Sequence, residues 1–211
     1  NCTELTSITS RKPRTDCDIQ WLLLPMADEL YKKELNPEAI FTACENVMRK
    51  VKGSYSVLYI ADSGENPYLF AMTDPRKVRP LALGKSNGTY CLASETRVFK
   101  KINFEYVKDI PGGSVIVIDP KGTIYEKQII KKQELPCMFE FVYFAKPDSR
   151  INGRSIHTTR QEIGRLLAQE HPAKADLVIP VPESGRRYAI GFSLESGIPL
   201  DEGIMKDKDE R

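Results

Sequence analysis

The chain has too little histidine for a self-contained zinc centre. His157 and His171 are its only two, fourteen positions apart, a spacing that fits no zinc motif and reads as two surface residues. Its five cysteines, at positions 2, 17, 44, 91 and 137, include no C-x-x-C pair, and their odd number argues against a closed disulfide framework. Cys44, on a helix face, and Cys91, inside a strand pattern, read as small core residues. Long apolar runs are missing too. No stretch approaches the roughly 20 residues that a membrane-spanning helix needs, and the opening N-C-T-E-L-T-S lacks the basic and apolar regions of a signal peptide. A cytoplasmic protein with no membrane partner is the expectation. Nor is there an excess of one charge: 31 Lys and Arg stand against 29 Asp and Glu, a net +2. Such a field does not favour nucleic acid, so an anionic ligand must be held by a local cluster.

What is present is enough apolar sequence, 41% of 211 residues, for one large domain or one domain and part of another. Asp16 is placed to cap a helix whose stripe is Ile19, Leu22, Leu23, Met26 and Leu30. Asn36 and Pro37 supply the start of a second helix, which buries Ile40, Cys44, Val47, Met48 and Val51 and stops at Gly53. The period then changes. Residues 55–61, 68–72, 81–83, 89–93, 114–118 and 123–125 read as strands separated by D-S-G-E-N, D-P-R-K, K-S-N-G and D-P-K-G turns, which predicts an antiparallel meander.

K-K-Q-E-L at 131–135 is a polar connector, dividing the chain into domains 1–135 and 136–211. Beyond it, Pro136 to Ser149 carries an aromatic strand pattern that runs into a lysine, a proline and a turn. Residues 155–170 read as a helix with Ile156, Ile163, Leu166 and Leu167 inward. Asp176 to Val181 reads as a buried strand, Arg186 to Ser196 as a helix, and Ile198 to Met205 as a further extended segment. This alternation implies a parallel sheet with crossovers. The loop Pro182-Glu183-Ser184-Gly185 leaves the carboxyl end of that strand and enters a helix, where open α/β sheets bind ligands and free N–H groups favour phosphate. Arg186 and Arg187 add charge, and the Ser184 hydroxyl is placed to face a hydrated magnesium. From spacing alone a tight turn with a helix cap is the better reading.

Taken together, C-M-F-E-F-V-Y-F-A-K-P-D-S at 137–149 and V-I-P-V-P-E-S at 178–184 resemble the glutamine phosphoribosylpyrophosphate amidotransferases. Gly197 to Lys206 resembles that family's G-I-P-x-x-E-G-[IL]-[IM]-K. Gly53-Ser54-Tyr55-Ser56, Asp74-Pro75, Arg79-Pro80-Leu81 and Ala93-Ser94-Glu95 parallel pieces of its glutaminase domain, as Thr15-Asp16-Cys17-Asp18-Ile19 parallels S-D-[ST]-E-[VIM]. Lys77 stands where the family has glycine.

The resemblance implies the second half of an α+β N-terminal-nucleophile, class II glutaminase domain, followed by the start of an α/β type I phosphoribosyltransferase domain. It implies synthesis of 5-phosphoribosylamine from phosphoribosyl pyrophosphate and glutamine-derived ammonia, with Mg²⁺ as cofactor and a homo-oligomeric full-length enzyme. Asp16 would hold the α-amino group of glutamine, Ser184 would belong to the magnesium site, and Lys206 would begin a loop over the ribose pyrophosphate. Cys137 matches a [4Fe-4S] ligand of the members that carry a cluster, and cluster-free members also have a cysteine there. No catalytic nucleophile is assigned: the family's leading cysteine and its downstream D-D-S-I-V-R-G-T-T have no counterpart, so the chain alone is expected to be inactive. The alternative is a non-catalytic regulatory or scaffold derivative of the same fold. Residues 136–206 argue against asparagine or glucosamine-phosphate synthases, which attach a different synthase domain.

Overall fold

A computed structural model describes residues 9–206 apart from 16, 32, 63 and 65. The chain forms two compact units, Asn1–Ser94 with Phe99–Pro136, and Glu95–Val98 with Cys137–Arg211. Among the described residues, no helix is long and apolar enough to cross a membrane.

In the first unit, helix α1 (Gln20–Leu30) begins without a side-chain cap at Ile19. The cap expected from Asp16 lies outside the described residues. Met26 is buried, with Leu22 and Leu30 packed beside it, whereas Ile19 and Leu23 are exposed. The inward stripe thus follows a spacing of four and is narrower than the sequence suggests. Helix α2 (Pro37–Lys50) starts where Asn36 Oδ1 accepts a hydrogen bond from the Ala39 N–H at 2.9 Å. Glu38 in its first turn and Arg49 and Lys50 in its last complement the helix dipole. Its buried face adds Phe41 and Ala43 to Ile40, Cys44, Val47 and Met48.

The expected single meander is two sheets. Strands β1 (Ser56–Ala61), β2 (Tyr68–Thr73), β6 (Ser114–Ile118) and β7 (Ile124–Gln128) pair in the order β1-β2-β6-β7. Strands β3 (Ala82–Ser86), β4 (Thr89–Ala93) and β5 (Glu105–Asp109) pair as β4-β3-β5, and helix α3 (Arg97–Lys101) precedes β5. Side-chain alternation explains the layering. Phe70, Met72, Val115 and Val117 face a core shared with Ile40, Cys44 and Val47, while Ala71 and Ile116 face a second core with Leu81, Leu83, Leu92 and Ile110. The first sheet is covered on both faces, so S-V-I-V-I carries no polar alternation. Strand β5 escaped prediction because E-Y-V-K-D is largely exposed.

The turn after β2 is built on Asp74, which is buried. Its carboxylate accepts from the N–H groups of Tyr55, Arg76 and Val78 at 3.2, 2.9 and 3.2 Å. Lys77 takes the left-handed backbone, φ 49°, that a glycine adopts more cheaply. Its buried side chain reaches Glu134 at 4.0 Å. The lysine therefore occupies a glycine-like turn without abolishing it.

Asp28 on α1 gathers the preceding segment: its carboxylate accepts from Thr9 Oγ1 at 2.6 Å, the Ser10 N–H at 3.1 Å and Arg11 Nε at 2.6 Å. The Thr9 and Arg11 bonds hold its carboxyl at about 2, against an ordinary 3.8. A depressed carboxyl pKa contributes stability above the unfolded value and loses it as pH falls through the folded one. Acidification from pH 5 to 2 is expected to release residues 9–11, and Asp28→Asn to weaken the same contact at pH 7. Amide chemical shifts of Ser10 and Arg11 that stay fixed across this range would contradict the assignment.

In the second unit, the aromatic segment expected as a strand is helical. Residues 138–144 wind into a short helix that ends as a π-turn, Glu140–Phe144, with Phe139 and Phe144 rings 6.0 Å apart. Its carbonyls are taken by side chains from two other helices, so it needs no strand partner. A small hairpin, β8 (Arg150–Ile151) with β9 (Arg154–Ser155), leads into helix α4 (Ile156–Glu170), whose cap Ser155 Oγ accepts from the Thr158 N–H. The buried face of α4 is Ile156, Arg160, Gly164 and Ala168. Leu166 and Leu167, expected inward, are exposed. The predicted buried strand at 176–181 is also corrected: Leu177, Ile179 and Val181 are 41, 45 and 64% exposed, and Val178 makes a single parallel bridge to Leu200. Helix α5 (Arg186–Ser196) connects these two positions and ends at Gly197, φ 73°. The parallel crossover is present, but with one bridge there is no regular strand.

Candidate functional site

Four separated stretches of the second unit meet around a depression of about 630 Å³. Lys146 and Pro147 come from the segment after the π-turn, Glu183 and Ser184 from the loop entering α5, Arg187 from the first turn of α5, and Lys206 from the far end of the described chain. Arg160 of α4 completes the lining. Four cations thus surround one carboxylate, Glu183, in a balance suited to a multiply charged anion.

The two arginines at the start of α5 differ. Arg186 is committed to Glu202 at 2.5 Å and lies 4.0 Å from Glu183. Both bury an Nε that has no hydrogen-bond partner among the described residues, but of the two only Arg187 lines the depression, where that Nε is an orphaned donor. Ser184 is exposed at the rim, next to a helix start that no side chain caps. The uncapped N–H groups add positive potential on the same side.

The wall opposite the loop is held by buried polar bonds. Arg160, 3% exposed, donates from Nε to the Phe141 carbonyl at 2.7 Å and from Nη2 to the Ala145 carbonyl at 2.8 Å. Tyr188 donates its hydroxyl to the Val142 carbonyl at 2.6 Å. Burial raises the Tyr188 phenol, and the neighbouring Arg160 guanidinium opposes that rise.

Of the residues singled out in the sequence, Ser184 and Lys206 come together here. Cys137 does not; it is half-buried and outside the depression. Asp16 lies outside the described residues. Sequence reading missed Lys146 and Arg160 as lining residues. Lys146 was visible in A-K-P-D-S, but an arginine four residues after Ile156 on a helix gives no sign that it is buried. His157 and His171 are exposed, as expected.

In the first unit, the matched motifs form a scaffold. The Asp74 N–H donates to the Tyr55 carbonyl at 2.8 Å, and Ser56 Oγ donates to the Arg79 carbonyl at 2.9 Å, so Gly53–Ser56, Asp74–Pro75 and Arg79–Leu81 lock together. Cys44 is no nucleophile: burial pushes its thiol up to about 12. Among the described residues, no three His, Cys, Asp or Glu side chains stand close enough to share a metal ion. Cys137 offers one of the four ligand positions that an iron-sulfur cluster uses. At Ser184 the donor set is a hydroxyl among cations, which fits magnesium carried in by a diphosphate and not an ion held by protein carboxylates.

No protein-family model matches the chain. It is 36% identical over 198 residues to the amidophosphoribosyltransferase of Methanocaldococcus jannaschii, covering 87% of this chain and 41% of that protein. Against the amidophosphoribosyltransferase of Mycobacterium tuberculosis the identity is 40% over 165 residues, covering 78% of this chain and 30% of the relative. The chain thus spans between three and four tenths of the length of these curated relatives. Its fold is similar to a solved glutamine phosphoribosylpyrophosphate amidotransferase from B. subtilis, complexed with ADP and GMP. The TM-score is 0.86 at 27% identity, over 99% of this chain and 44% of that one. A second solved structure, an allosteric regulatory enzyme of purine biosynthesis, matches with a TM-score of 0.81 at 26% identity, over 96% of this chain and 41% of that one.

Proposed function

We propose, from a chain related over most of its length to part of the amidophosphoribosyltransferases, that the depression in its second unit is the diphosphate end of a phosphoribosyl pyrophosphate site. On this reading, residues 1–135 correspond to the later half of a class II glutaminase domain and residues 136–211 to the start of a type I phosphoribosyltransferase domain. The full-length enzyme takes ammonia released from glutamine and forms 5-phosphoribosylamine. The observation that carries the reading is the convergence of Lys146, Ser184, Arg187 and Lys206 on one cationic depression.

The chemistry asked of these residues follows from the leaving group. As ammonia forms the bond to the ribose anomeric carbon, the carbon–oxygen bond breaks and its electron pair departs with pyrophosphate. Negative charge grows on the bridging oxygen. Fixed cations and helix N–H groups aimed at that charge lower the barrier because they need no reorganisation. Arg187, with its unpartnered Nε, is suited to donate a hydrogen bond to a phosphate oxygen, and Lys206 lines the same depression from the far end of the described chain. Ser184 would face the water shell of a magnesium ion carried in with the diphosphate, and that ion would supply charge neutralisation of the leaving group. On the glutaminase side Asp16 is proposed to hold the glutamine α-amino group. Cys137 is proposed as a cluster ligand only in a full-length protein that supplies the remaining three.

Calorimetric titration of the chain with Mg²⁺ and phosphoribosyl pyrophosphate tests the site. Saturable binding is expected, weakened about tenfold or more by Arg187→Ala, which removes a charge-assisted contact worth roughly 1.5–3 kcal/mol. Equal affinity in the parent chain and the variant would refute the role given to Arg187.

A further inference from the structure

The peptide group joining Ala145 to Lys146 is gripped at both of its polar ends by ionised side chains. Arg160 donates to its carbonyl at 2.8 Å, and the Glu95 carboxylate accepts from its N–H at 2.8 Å. Glu95 lies in Ala93-Ser94-Glu95, which no step above employs, and it belongs to the second unit although it precedes that unit's main segment by some forty residues. The same Oε2 also accepts from Ser149 Oγ at 2.8 Å. The Ser149 N–H donates to the Lys146 carbonyl at 2.9 Å, and the neighbouring Thr96 Oγ1 accepts from the Arg150 N–H at 2.8 Å. Every backbone polar group of Lys146 is therefore bonded.

Hydrogen bonds to ionised partners are roughly twice as strong as neutral ones. A carbonyl pinned by a guanidinium and an N–H pinned by a carboxylate fix the plane of the peptide in space, and with it the direction in which the next side chain leaves. Burial makes the arrangement exacting: Arg160 is almost fully enclosed, so a rotated peptide would strand its guanidinium away from water. Glu95 itself does not line the depression, whereas Lys146 does.

We propose that Glu95 and Arg160 are positioning residues, a carboxylate–guanidinium clamp on the Ala145–Lys146 peptide that aims the Lys146 ammonium at the bound diphosphate. The inference rests on the phosphoribosyl pyrophosphate reading of the depression. It assigns Glu95 a role in affinity without contact with the ligand.

The test is a double-mutant cycle on the chain, using inorganic pyrophosphate with Mg²⁺ as the probe and calorimetry as the readout, with melting temperatures recorded for each variant. Lys146→Ala and Glu95→Ala are each expected to weaken binding at least tenfold, and the double variant to be no weaker than Lys146→Ala alone. Glu95→Gln, which keeps one acceptor oxygen, should recover part of the loss. Where Glu95→Ala melts below the assay temperature, Glu95→Gln replaces it in the cycle. Multiplicative losses in the double variant, or unchanged affinity on replacing Glu95, would overturn the clamp while leaving the site intact. Absence of pyrophosphate binding by the parent chain would instead overturn the reading of the depression itself.

Discussion

Gly191→Ala is expected to unfold the second unit through a single added methyl group. A Cβ built at Gly191 would lie 1.9 Å from the Gln161 carbonyl oxygen, and one at Gly164 would lie 2.1 Å from the Tyr188 carbonyl oxygen. Helices α4 and α5 thus meet backbone to backbone at two reciprocal glycines. The obstructing atom is a main-chain oxygen inside a helix, which no rotamer change removes. Overpacking costs about 1–3 kcal/mol where side chains can shift, and here the helices must separate, so a loss of at least about 3 kcal/mol is expected. Separation also pulls Arg160 and Tyr188 from the carbonyls they satisfy, because the two side chains sit on the two helices. Denaturant unfolding followed by far-ultraviolet dichroism checks this: a midpoint unchanged from the parent chain would mean that the helices do not meet as described. Gly164→Ala should behave alike, whereas Ala substituted at the exposed Leu166 should change little.

Asp74→Ala is expected to cost the first unit about 3–5 kcal/mol. Three backbone N–H groups, from Tyr55, Arg76 and Val78, converge on this one buried carboxylate. Removing it strands donors that water reaches poorly, at about 1–3 kcal/mol each, with partial relief where the turn opens. The damage spreads through the fold because Asp74 N–H also bonds Tyr55 and its carbonyl accepts from Lys77 and Gly113 at 3.0 Å each. Asp74→Asn keeps the shape and one acceptor oxygen, so it should lose roughly half as much. Urea midpoints of the two variants test the ordering; Asn as damaging as Ala would show that charge, not acceptor count, holds the turn.

This second expectation bears on what the sequence motif means. Asp74-Pro75 with Arg79-Pro80-Leu81 reads as a family signature, yet its aspartate serves backbone donors and its arginine carbonyl accepts from Ser56. The signature records a folding requirement. Ser184 and Lys206 are different: they converge with Lys146 and Arg187 on one cationic depression. The same kind of motif match therefore divides, on inspection of partners, into scaffold and site.

Sequence by itself determined the helix bounds marked by Asn36 and Ser155, the positions of most strands, the loop into α5 and the parallel crossover from Val178 to Leu200. Each element depends on caps, turns and periodicity within about fifteen residues, and the crossover on the order of those elements. Tertiary structure alone decided the division into two sheets, since Ala71 and Ile116 give no local sign that a second core lies behind them. It also decided that the aromatic segment before Lys146 is helical, because its carbonyls are satisfied by Arg160 and Tyr188 from elsewhere in the chain. The grip of Glu95 on Lys146 was equally illegible, for hydrogen bonds across fifty residues leave no period in the sequence. Short-range order follows from local backbone preference, whereas buried charge and shared faces are fixed only when distant segments exclude water together.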